Sequence, residues 1–233
     1  MHNHTTHGYV LHSRPYRETS LLVDLFSQSF GRFTLVAKGI KRKSSQSQRA
    51  ILQPFSLLNI EYTGRSDLKT LCQVEPVGLF NRLDGRSMAC GYYVNELITR
   101  AIQEWQEYPA LFDHYQQVIN ALAAGESLTK SLRNFEVALL TELGVAPDWN
   151  FDISGEPIEP NRDYFFNLEQ GFEQVNHSNM IEQSHKRFTG AAIIALGTGH
   201  YTELEEKNCQ QITQMLLRQI IGQKPLESRK LWL

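Results

Sequence analysis

Lys38, Lys41, Arg42, Lys43 and Arg49 fall within one stretch, Lys38-Gly39-Ile40-Lys41-Arg42-Lys43-Ser44-Ser45-Gln46-Ser47-Gln48-Arg49. The chemistry these residues offer is polyanion binding. Lys and Arg neutralise phosphates. The hydroxyls and amides of Ser44, Ser45, Gln46 and Gln48 can hydrogen-bond to a phosphate backbone without reading bases. The surrounding charge points the same way. Residues 1–80 carry 10 Lys/Arg against 5 Asp/Glu, a net of +5, and residues 81–233 carry 13 against 20, a net of −7. The whole chain shows only −2. An asymmetry of this size directs a polyanion to the basic part. The competing reading is a solvated loop with no ligand, as charged runs commonly are.

Catalytic patterns do not emerge. Lys38-Gly39 lacks the preceding glycines of a phosphate-binding P-loop, and no G-x-G-x-x-G, H-E-x-x-H or G-x-S-x-G is present. Two-metal hydrolysis needs clustered carboxylates. Glu18, Asp24, Glu61, Asp67 and Glu75 are instead scattered among strands and turns. Glu205 and Glu206 read as a solvated helix face. His185-Lys186-Arg187, just before a helix start at Thr189, offers either a phosphate contact or a solvated cap. No cofactor is expected.

Cys72, Cys90 and Cys209 form no C-x-x-C pair and give no zinc-ligand spacing. Dispersed thiols in odd number suit a reducing cytoplasm. The opening Met1-His2-Asn3-His4-Thr5-Thr6-His7 has no apolar core of a signal peptide and reads as a frayed polar tail. No run of about 18 apolar residues predicts a membrane helix.

The elements that must position the basic residues are strands. Tyr9–Arg14, Leu21–Phe26, Arg32–Lys38, Phe55–Tyr62 and Leu68–Glu75 are the candidates, separated by turn sequences such as Arg14-Pro15 and Thr63-Gly64-Arg65-Ser66-Asp67. Phe33, Leu35 and Ala37 alternate with Arg32, Thr34, Val36 and Lys38, and Leu58, Ile60 and Tyr62 alternate with Leu57, Asn59 and Glu61. Period two with one apolar face is the mark of a half-buried strand. Five short strands in 80 residues suit a small closed barrel. The alternation turns Arg32 and Lys38 outward, on the side continuous with the basic loop. Among Tyr16, Phe26, Phe30 and Tyr62, any ring serves either to stack on a base or to fill the barrel.

Beyond Asn81 the period lengthens to that of helices. Ser87–Gln106, Pro109–Ala123, Ser127–Leu143 and Leu204–Ile221 read as amphipathic helices, with Ser127 a cap for the third. Residues 146–179 are rich in Pro, Gly and aromatics and read as an irregular insert with a hairpin near Asp163–Val175. The chain is thus α+β: a five-stranded barrel over 1–80, then a mostly helical domain over 81–233.

Several of these motifs resemble the RecO family of bacterial DNA repair proteins. They are Val10-Leu11-His12-Ser13-Arg14-Pro15-Tyr16-Arg17-Glu18-Thr19-Ser20-Leu21-Leu22, Gly31-Arg32, Leu35-Val36-Ala37-Lys38-Gly39, Leu52-Gln53-Pro54-Phe55 and Lys69-Thr70-Leu71. Tyr93-Val94-Asn95-Glu96-Leu97, Leu132–Leu140 with Leu143-Gly144, and Gly222–Arg229 extend the likeness nearly end to end. The resemblance implies an OB-fold followed by a helical domain, and a non-enzymatic recombination mediator in the cytoplasm, associated with the nucleoid. It implies binding of single- and double-stranded DNA, strand annealing, and partnership with RecR and with the acidic C-terminal tail of single-strand-binding protein, and so indirectly RecA loading. Some members carry a four-cysteine zinc site in the region matching 146–179; this chain has no cysteine there. Zinc is therefore expected to be absent, with the aromatics holding the insert. The alternative is an OB-fold RNA-binding or translation-associated module without annealing activity.

An acidic tail ending in an apolar residue and a free carboxylate needs a cation beside an apolar groove. Arg133, next to Leu132 on the apolar stripe of the third helix, is the expected partner-tail residue. The alternative weighed against it is an internal pair of Arg133 with Glu136.

Overall fold

Alternation of apolar and polar residues builds the first strands. The computed structural model describes residues 3–40, 46–66, 68–78, 81–176 and 186–232. Strands β1 (His4–Tyr16), β2 (Ser20–Ser27), β3 (Gly31–Ala37), β4 (Leu57–Thr63) and β5 (Lys69–Pro76) close into a barrel in the order β1-β2-β3-β5-β4. A short helix α1 (Gln46–Ile51) lies between β3 and β4. β1 is long because its first half pairs with β4 and its second with β2, with a register shift between Val10 and His12. Closure comes from a short parallel pairing, Leu35 with Lys69 and Val36 with Thr70. This is an OB-fold barrel, and closure removes the exposed sheet edges. Val10, Val23, Leu25, Phe33, Leu35, Leu58, Ile60, Tyr62 and Val74 fill it.

The opening residues are a correction. His4–His7, expected as a frayed tail, are strand, paired with Asn59–Tyr62. The ring of His4 stacks on Tyr62 at 5.5 Å. Thr6 is buried, so the segment alternates and pays its ordering entropy through pairing.

The helices are α2 (Gly85–Ala101), α3 (Pro109–Ala123), α4 (Leu128–Glu142), α5 (Gly190–Thr198) and α6 (Glu206–Ile221). The change of period falls near residue 81, but packing groups the elements differently. Residues 1–126 with 224–233 form one compact unit, and 127–223 a second. In the first unit the outer face of β1 and β2 is itself apolar. Tyr9 and Phe26 pack on Phe112 and Tyr115 of α3, at ring separations of 4.9–5.7 Å. Apolar residues on both faces of a strand require a second layer. After α2 the chain returns to the barrel: Trp105 stacks on Phe33 at 4.7 Å, and its N–H donates to Arg32 O at 2.9 Å. Gly31 permits this approach, since a Cβ there would lie 1.7 Å from Gln106 O. The C-terminal segment ends in a 3-10 helix (Glu227–Trp232) bound to α2.

In the second unit Ser127 caps α4, its hydroxyl accepting from Lys130 N, as the sequence indicates. The insert is more regular than expected. β6 (Asp163–Asn167), β7 (Gly171–Gln174) and β8 (Phe188–Thr189) form a sheet in the order β7-β6-β8. Its aromatics do hold it: Phe172 packs on Phe166 and Trp149 at 5.0 and 6.1 Å, and Tyr164 Oη accepts from Glu159 N.

Candidate nucleic-acid interface

β3 sets the geometry. Phe33, Leu35 and Ala37 point inward, so Arg32, Thr34, Val36 and Lys38 take the outer side. Beside Val36 and Lys38 lies an open groove of about 630 Å³. The β1–β2 turn, Tyr16 to Ser20, makes one wall, and Leu68 and Thr70 of the β4–β5 connection and β5 make the other. In OB-folds this face and these two loops receive oligonucleotides.

Two cations, Arg17 and Lys38, and one acid, Glu18, line the groove. All three are exposed. Arg17 has a left-handed backbone, φ 50°, and its guanidinium lies 5.1 Å from the Tyr16 ring centre. That cation–π contact fixes both beside the groove while leaving the guanidinium able to meet a phosphate. Exposed Leu68 offers an apolar surface. The sequence reading passed over Arg17; the signal available was an Arg directly after a Pro-Tyr turn between two strands.

The expected basic residues divide. Lys38 lines the groove. Arg49 is exposed on α1. Lys41, Arg42 and Lys43 lie outside the described residues, directly downstream of the groove's Gly39. Arg32 shares the outward parity but is not brought to the groove. Six residues of strand, about 20 Å, separate it from Lys38. Its guanidinium donates to Glu104 Oε1 at 3.1 Å and to Ile102 O at 3.4 Å. Between the two, Thr34 donates to Asp24 at 2.7 Å. Arg32 thus serves the strand-to-Trp105 connection.

Of the rings considered for stacking, Tyr16 alone lines the groove and is only half-buried. Phe26 and Tyr62 are buried, and Phe30 packs edge-on against Tyr62 at 6.1 Å. Burial also raises the Tyr62 phenol, which stays neutral in the barrel.

The structure places the expected partner-tail residues in the interior of the second unit. Leu132 is core, and Arg133 is 4% exposed. The Arg133 guanidinium donates to Glu136 Oε1 at 2.5 Å. One turn of helix brings i and i+3 together, and here both charges lie inside the second unit, not at the rim of a groove. The pair weighed as the alternative is the one formed. The Arg133 charge also acts on the buried hydroxyl of half-buried Tyr201 and on buried Cys209. Burial pushes the Cys209 thiol up to about 12, against a smaller opposing pull from Arg133. It is a protonated core thiol, not a nucleophile.

Among the described residues, no group of three or more His, Cys, Asp or Glu is arranged to hold a metal ion. Nor is any helix among them long and apolar enough to cross a membrane.

Comparison with known proteins places this architecture. The family profile "Recombination protein O N terminal" matches residues 1–80, and "Recombination protein O C terminal" matches residues 82–230. A protein of Alteromonas mediterranea named DNA repair protein RecO is 38% identical over 100% of this chain and 98% of its own length. Proteins of the same name from Haemophilus influenzae and Cellvibrio japonicus are each 37% identical, covering 100% and 97% of this chain and 97% and 94% of their own. With an OB-fold barrel carrying a cation-lined groove, and both profiles matching in order along the chain, this protein belongs to the RecO family.

Proposed function

We propose that this chain is a DNA-binding recombination mediator and strand-annealing protein of recombinational DNA repair, acting without catalytic chemistry of its own. The observation that carries the reading is the groove on the outer face of the barrel, bounded by Arg17 and Lys38 and followed in sequence by Lys41–Lys43. Lys and Arg hold phosphates by charge, and this leaves base edges open to a complementary strand. A protein that grips backbone and spares bases favours annealing of two strands.

The named relatives are DNA repair proteins, which supports the cellular role. The finer partners follow from the family resemblance. They are single- and double-stranded DNA, RecR, and the C-terminal tail of single-strand-binding protein, through which RecA loading is assisted. The expected setting is the cytoplasm, at the nucleoid. An RNA-binding module would use the same barrel face but read single-stranded RNA and its 2′-hydroxyls.

The test is annealing of two complementary labelled oligodeoxynucleotides in the presence of chelator and without nucleotide. Acceleration over the protein-free rate is expected. No acceleration, with tighter binding to RNA than to DNA of the same sequence, would favour the RNA-binding module and overturn the proposal.

A further inference from the structure

Tyr16 ends strand β1 with its backbone fixed on both sides. It pairs with Ser20 across the β1–β2 turn, and Pro15, whose ring locks its φ, pairs with Leu21. Arg17 follows at φ 50°, its guanidinium 5.1 Å from the Tyr16 ring centre. A bulky residue held at positive φ stores strain, and such positions gather at ligand sites. The Tyr16 ring is not part of the apolar cluster that fills the barrel. No other aromatic ring packs on it among the described residues. It is half-exposed and lines the groove of about 630 Å³. On the other wall stands Leu68, an apolar side chain 41% exposed. Its carbonyl accepts from Ser66 Oγ at 3.1 Å, and Ser66 O accepts from Lys69 Nζ at 2.8 Å, so this wall is held as well.

We propose that Tyr16 and Leu68 form a slot for one unpaired base, and that this slot makes the groove select single strands over duplex. The inference deepens the DNA-binding part of the reading above and rests on it. Arg17 and Lys38 attract the phosphates of either form by charge alone. The slot adds a contact that only one form can make. In a duplex both faces of a base are covered by its neighbours, and exposing one costs unstacking and unpairing. An unpaired base offers its π-face at no such cost, and every base has one, so the slot tolerates any sequence. Stacking holds the base by its face and leaves its pairing edge open to a complementary strand. Once paired, the base exchanges Tyr16 for its neighbours in the duplex, and the product is released. Arg17 acts on both sides of this contact: its guanidinium orients the ring, and its charge meets the phosphate beside the slotted base. If Tyr16 served only to pack the turn, its ring would have no bearing on strand selectivity.

The experiment uses the full chain and a fluorescein-labelled oligodeoxynucleotide of mixed sequence, either single-stranded or annealed to its complement. Anisotropy across a salt series is read for the wild type, Tyr16→Ala, Tyr16→Phe and Leu68→Ser. Tyr16→Ala should weaken single-strand binding by about fivefold or more, the scale of losing one stacked base, and lower the ratio of single-strand to duplex affinity by a similar factor. Its salt slope should match that of the wild type, because a stack releases no counterions. Tyr16→Phe keeps the ring and should keep the ratio. Leu68 is exposed, so Leu68→Ser should lower the ratio severalfold with an unchanged thermal midpoint, and it tests the slot even if Tyr16→Ala unfolds. An unchanged ratio in Tyr16→Ala and Leu68→Ser overturns the slot and leaves the DNA-binding reading intact. So does a flattened slope in Tyr16→Ala, or a Tyr16→Phe as weak as Tyr16→Ala. A wild type that binds neither form of DNA overturns both.

Discussion

Tyr115 Oη donates to Asn95 Oδ1 at 2.6 Å, and Asn95 Nδ2 donates in turn to Leu11 O at 2.9 Å. Tyr115 and Asn95 are buried, and this relay ties α3 through α2 to strand β1 of the barrel. Removing one member leaves a desolvated partner unpaired. Tyr115→Phe should therefore cost about 1–3 kcal/mol in urea unfolding, and Asn95→Leu at least as much. An unchanged denaturation midpoint for both would show that the relay contributes nothing to the first unit.

DNA affinity should fall steeply with salt. The whole protein should show a log–log slope on the order of −3 to −6, and alanine at Lys41, Arg42 and Lys43 should flatten it by about 2 to 3 units. Arg17→Ala with Lys38→Ala should flatten it further. Arg32→Ala should leave the slope alone, because its guanidinium is committed to Glu104 and Ile102 O. A slope that responds to Arg32 but not to Lys38 would move the DNA path to the other end of β3.

Glu96 makes stability depend on acid. Burial alone would raise its carboxyl. Hydrogen bonds from Ser228 N, Glu227 N and Ser228 Oγ, together with Arg100, outweigh burial and hold it below its ordinary value of 4.5. A depressed carboxyl gives stability that is present above the unfolded-state value and is lost as pH falls through the folded-state value. Glu96→Gln should lower the thermal midpoint at neutral pH and show a shallower loss on acidification. Parallel acid profiles for the two proteins would disprove the linkage.

Replacing Glu136 by Leu should cost about 3–5 kcal/mol, since the buried Arg133 charge then loses the carboxylate it pairs with. Arg133→Met with Glu136→Leu should recover much of that loss. If Arg133→Ala instead keeps wild-type stability and loses only peptide affinity, Arg133 acts as the surface ligand expected from the sequence.

Chelator treatment of tag-free protein should leave the thermal midpoint unchanged, with no stoichiometric zinc by elemental analysis. The motive is the absence of cysteine between Ala146 and Asn179. One tightly held zinc per chain would overturn this.

The sequence determined local structure wherever one periodicity ruled a segment. Phe33-Thr34-Leu35-Val36-Ala37 and Leu57–Tyr62 fixed both strand and inward face, because a one-residue slip would bury Thr34 or Glu61. Pro109 and Ser127 marked the starts of α3 and α4 as capping chemistry requires. The lengthening of period after Asn81 located the start of the helical segments. Tertiary structure decided what periodicity does not encode. Whether an outward cation faces solvent or a neighbour depends on distant chain: Arg32 meets Glu104, 72 residues away, while Lys38 is left to the groove. The polar segment His4–His7 became strand because β4 offered it a partner. The C-terminal segment joined the barrel's unit through Glu96 and Arg100, more than 120 residues away in sequence. In each case a residue's type stated what it could do, and long-range packing selected which of its possible partners it met.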